Sequence, residues 1–283
     1  MIPFIKAHAC GNDFLIISED DVKGADKAVL AQRLCDRNTG IGADGIEFFA
    51  WTGDTSSKAQ LYNADGSIAE ISGNGTRCVA AWMAEDKSAQ IGEEFSIETG
   101  AGVRVCKLDD FRDTDQGPLA LICADMEIPE FEERTVTLAD GTEIDGVYVN
   151  MGNPHYVIVL GDAQAEGPDF SINERSWEDV GQEICFHPDF PEQTDVEFVS
   201  VLRSGTGLRD RVAMRIYERG VGPTESSGTG TSATAVAMIA VYGGVSPTQV
   251  ETPGGVQTVE WDGDGQRLYL TGPAMLIARG EAW

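Results

Sequence analysis

Two stretches decide the fold: 70-EISGNGTRCVAAWM-83 and 225-ESSGTGTSATAVAM-238. Both read Glu-x-Ser-Gly-x-Gly-Thr and then run into small and apolar residues. Glycine lets a backbone approach a ligand closely and take positive φ. A serine just before such a run is a suitable helix N-cap. The helix that follows presents free N–H groups and the positive end of its dipole, which attract an anion. One loop of this kind is a common turn; two copies in one chain predict a duplicated site. If the two loops face each other, both helix starts converge on one anion, and Ser72 and Ser227 flank the ligand on its two faces.

The repeat is wider than its loops. Residues 11-GNDFLII-17 resemble 152-GNPHYVIVL-160, a Gly-Asn turn entering an apolar strand. Gly11 precedes Ser72 by 61 positions and Gly152 precedes Ser227 by 75. The chain reads as two strand-rich halves, each with one long helix. Short β-branched or aromatic runs bounded by Gly, Asp and Asn predict strands over 13–18, 45–50, 58–63, 94–98, 102–107 and 118–124. In the second half they predict 145–150, 155–160, 196–203, 210–218, 248–252, 256–261 and 266–271. Helices are predicted over 25–36, 75–86, 174–184 and 229–242. The halves are 1–125 with 272–283, and 126–271, the last strand at 273–278 returning to the first half. The fold class predicted is α+β: two pseudo-symmetric halves, each a mostly antiparallel sheet wrapped around a central helix.

Composition narrows the function. The 283 residues carry 47 Asp and Glu against 20 Lys and Arg, a net charge of −27. That balance argues against nucleic acid or an anionic membrane as partner and predicts a solvated, repulsive surface. The N-terminus lacks the features of a signal peptide, which predicts a cytoplasmic protein. The six cysteines are scattered with no CxxC pair, as expected of reduced thiols and not of a disulfide frame or zinc site. Cys78, Cys106 and Cys123 lie in apolar runs and read as small core residues. No G-x-G-x-x-G after a strand and no P-loop lysine is present, so no cofactor is expected. Two groups on opposite faces of one carbon suit inversion, one removing a proton and the other delivering one. The N–H groups of the loops then hold the charge that develops on the neighbouring carboxylate.

The motifs 11-GNDF-14, 40-GIGADG-45, 62-YNADGS-67, 73-GNGTRC-78, 151-MGNPH-155, 190-FPEQTDVEFV-199, 217-YERGVG-222, 228-GTG-230, 252-TPGG-255 and 271-TGPA-274 together resemble the diaminopimelate epimerase family over nearly the whole chain. The resemblance implies a cofactor-independent isomerase that interconverts LL- and meso-diaminopimelate for lysine and peptidoglycan precursors. Its partner is a small amino acid, and the resemblance places the active site in the cleft between the two halves; a homodimer is one assembly left open by the sequence. By position, Asn12, Asn63, Asn153, Glu218 and Arg219 fall where the family binds substrate. Gly73, Asn74, Gly228 and Thr229 fall where it holds the reacting carboxylate, and His155 and Glu218 stand beside the catalytic pair. Taken singly, the asparagines also read as turn residues, His155 as a strand histidine, and Glu218 with Arg219 as a surface pair.

Two positions depart from the family. Ser72 and Ser227 stand where it has its acid–base cysteines, and a hydroxyl is a far weaker acid than a thiol. Such a hydroxyl works only when a neighbour takes its proton. Asp195 stands where the family has an asparagine that contacts substrate, and its added charge favours a distal cation on the ligand. Three readings remain open at this stage. One is an epimerase or racemase that uses serines. Another is an isomerase of the same fold with a different proton-transfer outcome, as in the phenazine-biosynthesis branch. The third is a cleft that binds an amino acid without turning it over.

Overall fold

The computed structural model describes residues 1–69, 72–163, 167–202 and 208–283. Along the chain run β1 (Ile2–Ala9), β2 (Asn12–Ser18), α1 (Lys27–Cys35), β3 (Gly45–Trp51), β4 (Ser56–Asn63), β5 (Ile68–Ala69), α2 (Gly73–Lys87), β6 (Glu94–Thr99), β7 (Gly102–Thr114), β8 (Gly117–Asp125), β9 (Glu130–Thr137) and β10 (Glu143–Asn150). They continue as β11 (Pro154–Asp162), α3 (Trp177–Cys185), β12 (Asp195–Val201), β13 (Arg211–Glu218), β14 (Gly222–Thr224), α4 (Gly228–Ala240), β15 (Thr248–Thr252), β16 (Gly255–Trp261) and β17 (Leu268–Ala282). Strand dominates, which corrects the α+β expectation to a mostly β protein with four α-helices among the described residues.

The chain forms two compact units, Met1–Asp125 with Thr271–Trp283, and Met126–Leu270. In the first unit the pairings close a ring of eight strands, β1-β2-β3-β4-β6-β7-β8-β17 and back to β1. A closed barrel removes unpaired strand edges. Helix α2 lies against seven of these strands and buries nearly every residue from Asn74 to Ala84. A helix enclosed by strands has no solvent face, which is why 73-GNGTRCVAAWMA-84 shows no polar stripe.

The second unit runs β9-β10-β11-β12-β13-β15-β16. Helix α4 packs on β10, β11, β12, β13, β15 and β16, and its small residues let these strands close in. The core beside it includes Val199, Met214, Val236, Met238, Val259 and Trp261. Strand β12 is buried at all seven positions, with α3 and α4 both packed on it. Both units use the same order of pairings. β2 and β3 are parallel, β3 and β4 antiparallel, β4 and β6 parallel; β11 and β12, β12 and β13, β13 and β15 follow suit.

Several bounds need correction. Residues 2–9 and 130–137, given no element from sequence, are β1 and β9. On β9, Glu130, Glu132, Glu133, Thr135 and Thr137 are exposed, and only Val136 is buried. The strand expected over 102–107 continues to Thr114. Those expected over 266–271 and 273–278 are one strand, β17, which pairs with β1 from Ile2↔Ala282 to His8↔Met275. Helix α1 starts at Lys27 because the Asp26 carboxylate caps Ala28 and Val29, and α3 starts at Trp177 behind the Ser176 cap. Helices α2 and α4 start at Gly73 and Gly228, earlier than 75 and 229, and α4 ends at Ala240. Residue 203, predicted as the end of a strand, and Glu70 and Ile71 of the first repeat lie outside the described residues. Cys78 and Cys106 are fully buried, while Cys123 is only partly so; none of the six cysteines forms a disulfide.

Candidate active site

Ser72 and Ser227 are the N-caps of α2 and α4. Each has extended backbone, φ −129° and ψ 123° for Ser72, φ −140° and ψ 134° for Ser227. Each Oγ accepts the N–H of the third helical residue, Gly75 at 3.1 Å and Gly230 at 3.2 Å. Ser227 Oγ also lies 3.3 Å from Thr229 Oγ1. In both units the Ser-Gly-x-Gly run therefore places a hydroxyl at the positive end of a buried helix.

In the first unit, Asn74 Nδ2 donates to Asn12 Oδ1 at 3.4 Å, and Asn12 Nδ2 donates to Asp44 Oδ2 at 2.6 Å. Arg37 holds Asp44 and Asp13 together through Nη2, at 2.7 and 2.8 Å. Burial alone would raise Asp13, but Arg37 and Lys6 outweigh it and hold this carboxyl down at about 2. The Arg77 guanidinium, fully buried, donates to Asn74 Oδ1. Asn63 Nδ2 donates to Ser67 Oγ at 3.0 Å in the turn after β4. Gly73 is the first residue of α2.

The second unit gathers charge. His155 Nδ1 lies 2.6 Å from Glu197 Oε1 and 3.8 Å from Asp195 Oδ2, all three buried. Burial works against the His155 cation, yet Glu197, Asp195 and Glu218 outweigh it and raise its pKa. Burial pushes Glu197 up to about 7 against the pull of His155. His155 Nε2 and Glu197 Oε2 have no hydrogen-bond partner among the described residues. Asp195 uses both oxygens within the protein: Oδ2 accepts from Asn153 Nδ2 and Oδ1 from the backbone N–H of Arg219, each at 2.8 Å. Arg219 Nη1 donates to the Glu192 carbonyl at 3.3 Å. Glu218 keeps part of its surface in solvent, but burial pushes it up to about 7 while the Thr224 hydroxyl donates to its Oε1. Gly228 and Thr229 open α4.

Two residues absent from the predicted set stand beneath the caps. Glu47 of β3 and Glu197 of β12 occupy matching places: 46-IEFF-49 and 196-VEFV-199 follow the same parallel pairings, Ile16↔Glu47 and Val157↔Glu197. A methyl built on Gly75 would overlap Glu47 Oε1, and one built on Gly230 would lie 2.8 Å from Glu197 Oε1. The second glycine of each S-G-x-G-T thus leaves room for a carboxyl. Burial alone pushes Glu47 up to about 8, which favours its protonated form. The signal available in sequence was a lone Glu inside each of two matching apolar runs.

The chain matches the family model described as diaminopimelate epimerase over residues 4–121 and 147–277. It is 36% identical over 303 residues to the diaminopimelate epimerase of Thermosynechococcus vestitus, covering 99% of this chain and 98% of the relative. It is 34% identical to a chloroplastic diaminopimelate epimerase of Oryza sativa subsp. japonica, covering 99% of this chain and 79% of the relative. This chain belongs to the diaminopimelate epimerase family. Among solved structures, it superposes on a Bacillus anthracis phenazine biosynthesis protein of the PhzF family with TM-score 0.69 at 14% identity, over 100% and 99% of the two chains. On a hydroxyproline epimerase from Agrobacterium vitis the TM-score is 0.64 at 17% identity, over 99% and 90%. At these identities the likeness is one of fold.

Proposed function

We propose that this protein is a cofactor-independent amino-acid epimerase whose substrate is diaminopimelate, inverted at Cα by proton transfer between two faces. The observation that carries this reading is the pair of serine-capped helices, each opening on glycines, in a chain of this family. The substrate carboxylate binds the N–H groups at 73–75 and 228–230, where two helix dipoles stabilise the charge that grows as the Cα proton leaves. Asn12 and Asn74 in one unit, and Asn153, Glu218 and Arg219 in the other, orient the amino acid. Asn63 serves with them. Asp195 arranges the site from within, because both its oxygens are taken by Asn153 and the Arg219 N–H. It therefore does not require a distal cation on the ligand, and diaminopimelate fits the site's asparagines as it does in the family.

Ser72 and Ser227 take the two faces. A hydroxyl ionises far less readily than a thiol, so the rate is limited at these positions. Deuterium uptake at Cα from heavy water, followed with chiral analysis of diaminopimelate, tests the reading. Wild type is expected to exchange and invert slowly. Ser72→Cys with Ser227→Cys is expected to accelerate inversion by far more than the product of the single changes, since the pair acts as a unit. A double variant inert toward every diamino acid would overturn the assignment. Calorimetric titration bears on substrate choice: Asp195→Asn should weaken diaminopimelate and lysine in parallel, whereas a selective loss of lysine would make Asp195 a reader of the ligand.

A further inference from the structure

The serine caps leave a chemical question that the two buried glutamates answer. Each Ser Oγ accepts a helix N–H, which leaves its own hydrogen to be donated. A hydroxyl that takes a proton from carbon must pass that hydrogen to a group that ionises near neutral pH. In both units one carboxyl oxygen lies against the second glycine of the serine-capped turn. The position of a Gly230 methyl lies 3.3 Å from Ser227 Cβ and 2.8 Å from Glu197 Oε1; that of a Gly75 methyl lies 3.3 Å from Ser72 Cβ and overlaps Glu47 Oε1.

We infer that Glu47 and Glu197 are positioning residues that hold the protons exchanged through Ser72 and Ser227, so that each face works as a serine–glutamate relay. This rests on the epimerase reading and goes beyond it, because neither glutamate is among the residues the family likeness assigns. The two carboxyls differ in surroundings. Glu197 has His155 at 2.6 Å, with Asp195 and Glu218 bearing on the same histidine. Its Oε2 is buried with no partner among the described residues, an acceptor held in reserve. Among the described residues no cation pairs with Glu47, and the Cys78 thiol feels its charge. In unit 1 the place of His155 in the strand pairing is taken by Phe14, opposite Gly45 where unit 2 has Asp195. Glu197 therefore shares a proton with His155 across their 2.6 Å contact, whereas Glu47 holds its own.

The protons balance in one turnover. The Cα–H bond breaks and its electron pair stays on the substrate, spread into the carboxylate. The proton goes to Ser227 Oγ as the Ser227 hydroxyl hydrogen passes to the Glu197 carboxylate. On the other face the Ser72 hydroxyl hydrogen forms the new Cα–H bond while Glu47 returns a proton to Ser72 Oγ. The net result is an inverted carbon, Glu197 protonated and Glu47 ionised. The product epimer, running the same steps backwards, resets the pair, as does exchange with water.

The test measures Cα deuterium exchange and inversion of diaminopimelate from pH 5 to 9 for Glu47→Gln and Glu197→Gln. Both are made in wild type and in the Ser72→Cys, Ser227→Cys background, with circular dichroism confirming folding. With serines present, each glutamine should cost roughly a hundredfold in rate and remove one limb of the pH profile. With cysteines present, the thiols ionise unaided and the cost should shrink to a fewfold. Glutamine variants within twofold of their parent with an unchanged profile would overturn the relay, as would equal losses in both backgrounds, which would mark a packing role. Exchange in the cysteine background with none in wild type would overturn the relay while leaving the epimerase reading intact. No exchange in either background would end that reading, and the relay with it.

Discussion

At the residue scale, Glu47 makes the site's electrostatics visible in stability. Its carboxyl sits in the barrel interior with a pKa of about 8, raised by burial. The folded state thus binds this proton more tightly than the unfolded chain, whose glutamate titrates near ~4.3. The stability it contributes is complete below that value and is lost as pH rises towards 8. Thermal melts should therefore show wild type losing on the order of a few kcal/mol between pH 5 and 9. Glu47→Gln, which keeps the neutral shape, should flatten this slope; an unchanged slope would mean the carboxyl escapes to solvent. The caps can be read the same way. Ser72→Ala removes the acceptor for the Gly75 N–H and should cost about 1 kcal/mol in urea denaturation. Both serines were legible in the sequence because a cap before Gly-x-Gly is a local signal. Glu47 and Glu197 were not, because a glutamate inside an apolar run acquires meaning only when a helix end is folded over it.

At the element scale, α2 and α4 are unusual helices. Ordinary helices show an apolar stripe and a polar face, but these are enclosed by strands and read as runs of small residues. Their lengths and places follow from Ser-Gly-x-Gly-Thr, whereas their tolerance of substitution does not. Replacing an exposed helical glycine by alanine gains up to about 1 kcal/mol. At Gly230 the added methyl would lie 2.7 Å from Ile216 Cδ1 and 2.8 Å from Glu197 Oε1. Gly230→Ala should therefore lose about 1–3 kcal/mol by overpacking, seen as a lower urea midpoint. A gain would show that β12 and β13 yield easily. Strand β9 illustrates the opposite difficulty. Its outward Glu and Thr residues dilute the apolar alternation, and only the ladder with β10, from Glu130↔Asn150 to Thr137↔Glu143, makes it a strand.

At the scale of the whole molecule, the surplus of 27 negative charges acts on the folded state as self-repulsion. Cations are spent locally. Arg37 and Lys6 serve Asp13, Arg175 serves Glu183, and Arg211 serves Glu251. Screening lengths shrink from roughly 10 Å at 0.1 M salt to 3 Å at 1 M. The melting temperature should accordingly rise by about 5 °C or more over that range. A melting temperature that falls with salt would show that the paired carboxylates outweigh the repulsion. No helix among the described residues is long and apolar enough to cross a membrane.

Sequence by itself determined the duplication, the two capped helices and the asparagine, histidine and YERG positions, because each depends on short-range chemistry: a cap three residues from its N–H, or a glycine where the chain must turn. Tertiary structure decided which residues meet within each unit. It closed eight strands into a ring around α2, a matter of pairings between residues such as Ile2 and Ala282 that no local pattern encodes. It turned both oxygens of Asp195 inward to Asn153 and the Arg219 N–H. It also set a buried carboxyl under each serine-capped helix, and burial, which only the packed fold supplies, is what moves those carboxyls to pKa values of about 7 and 8.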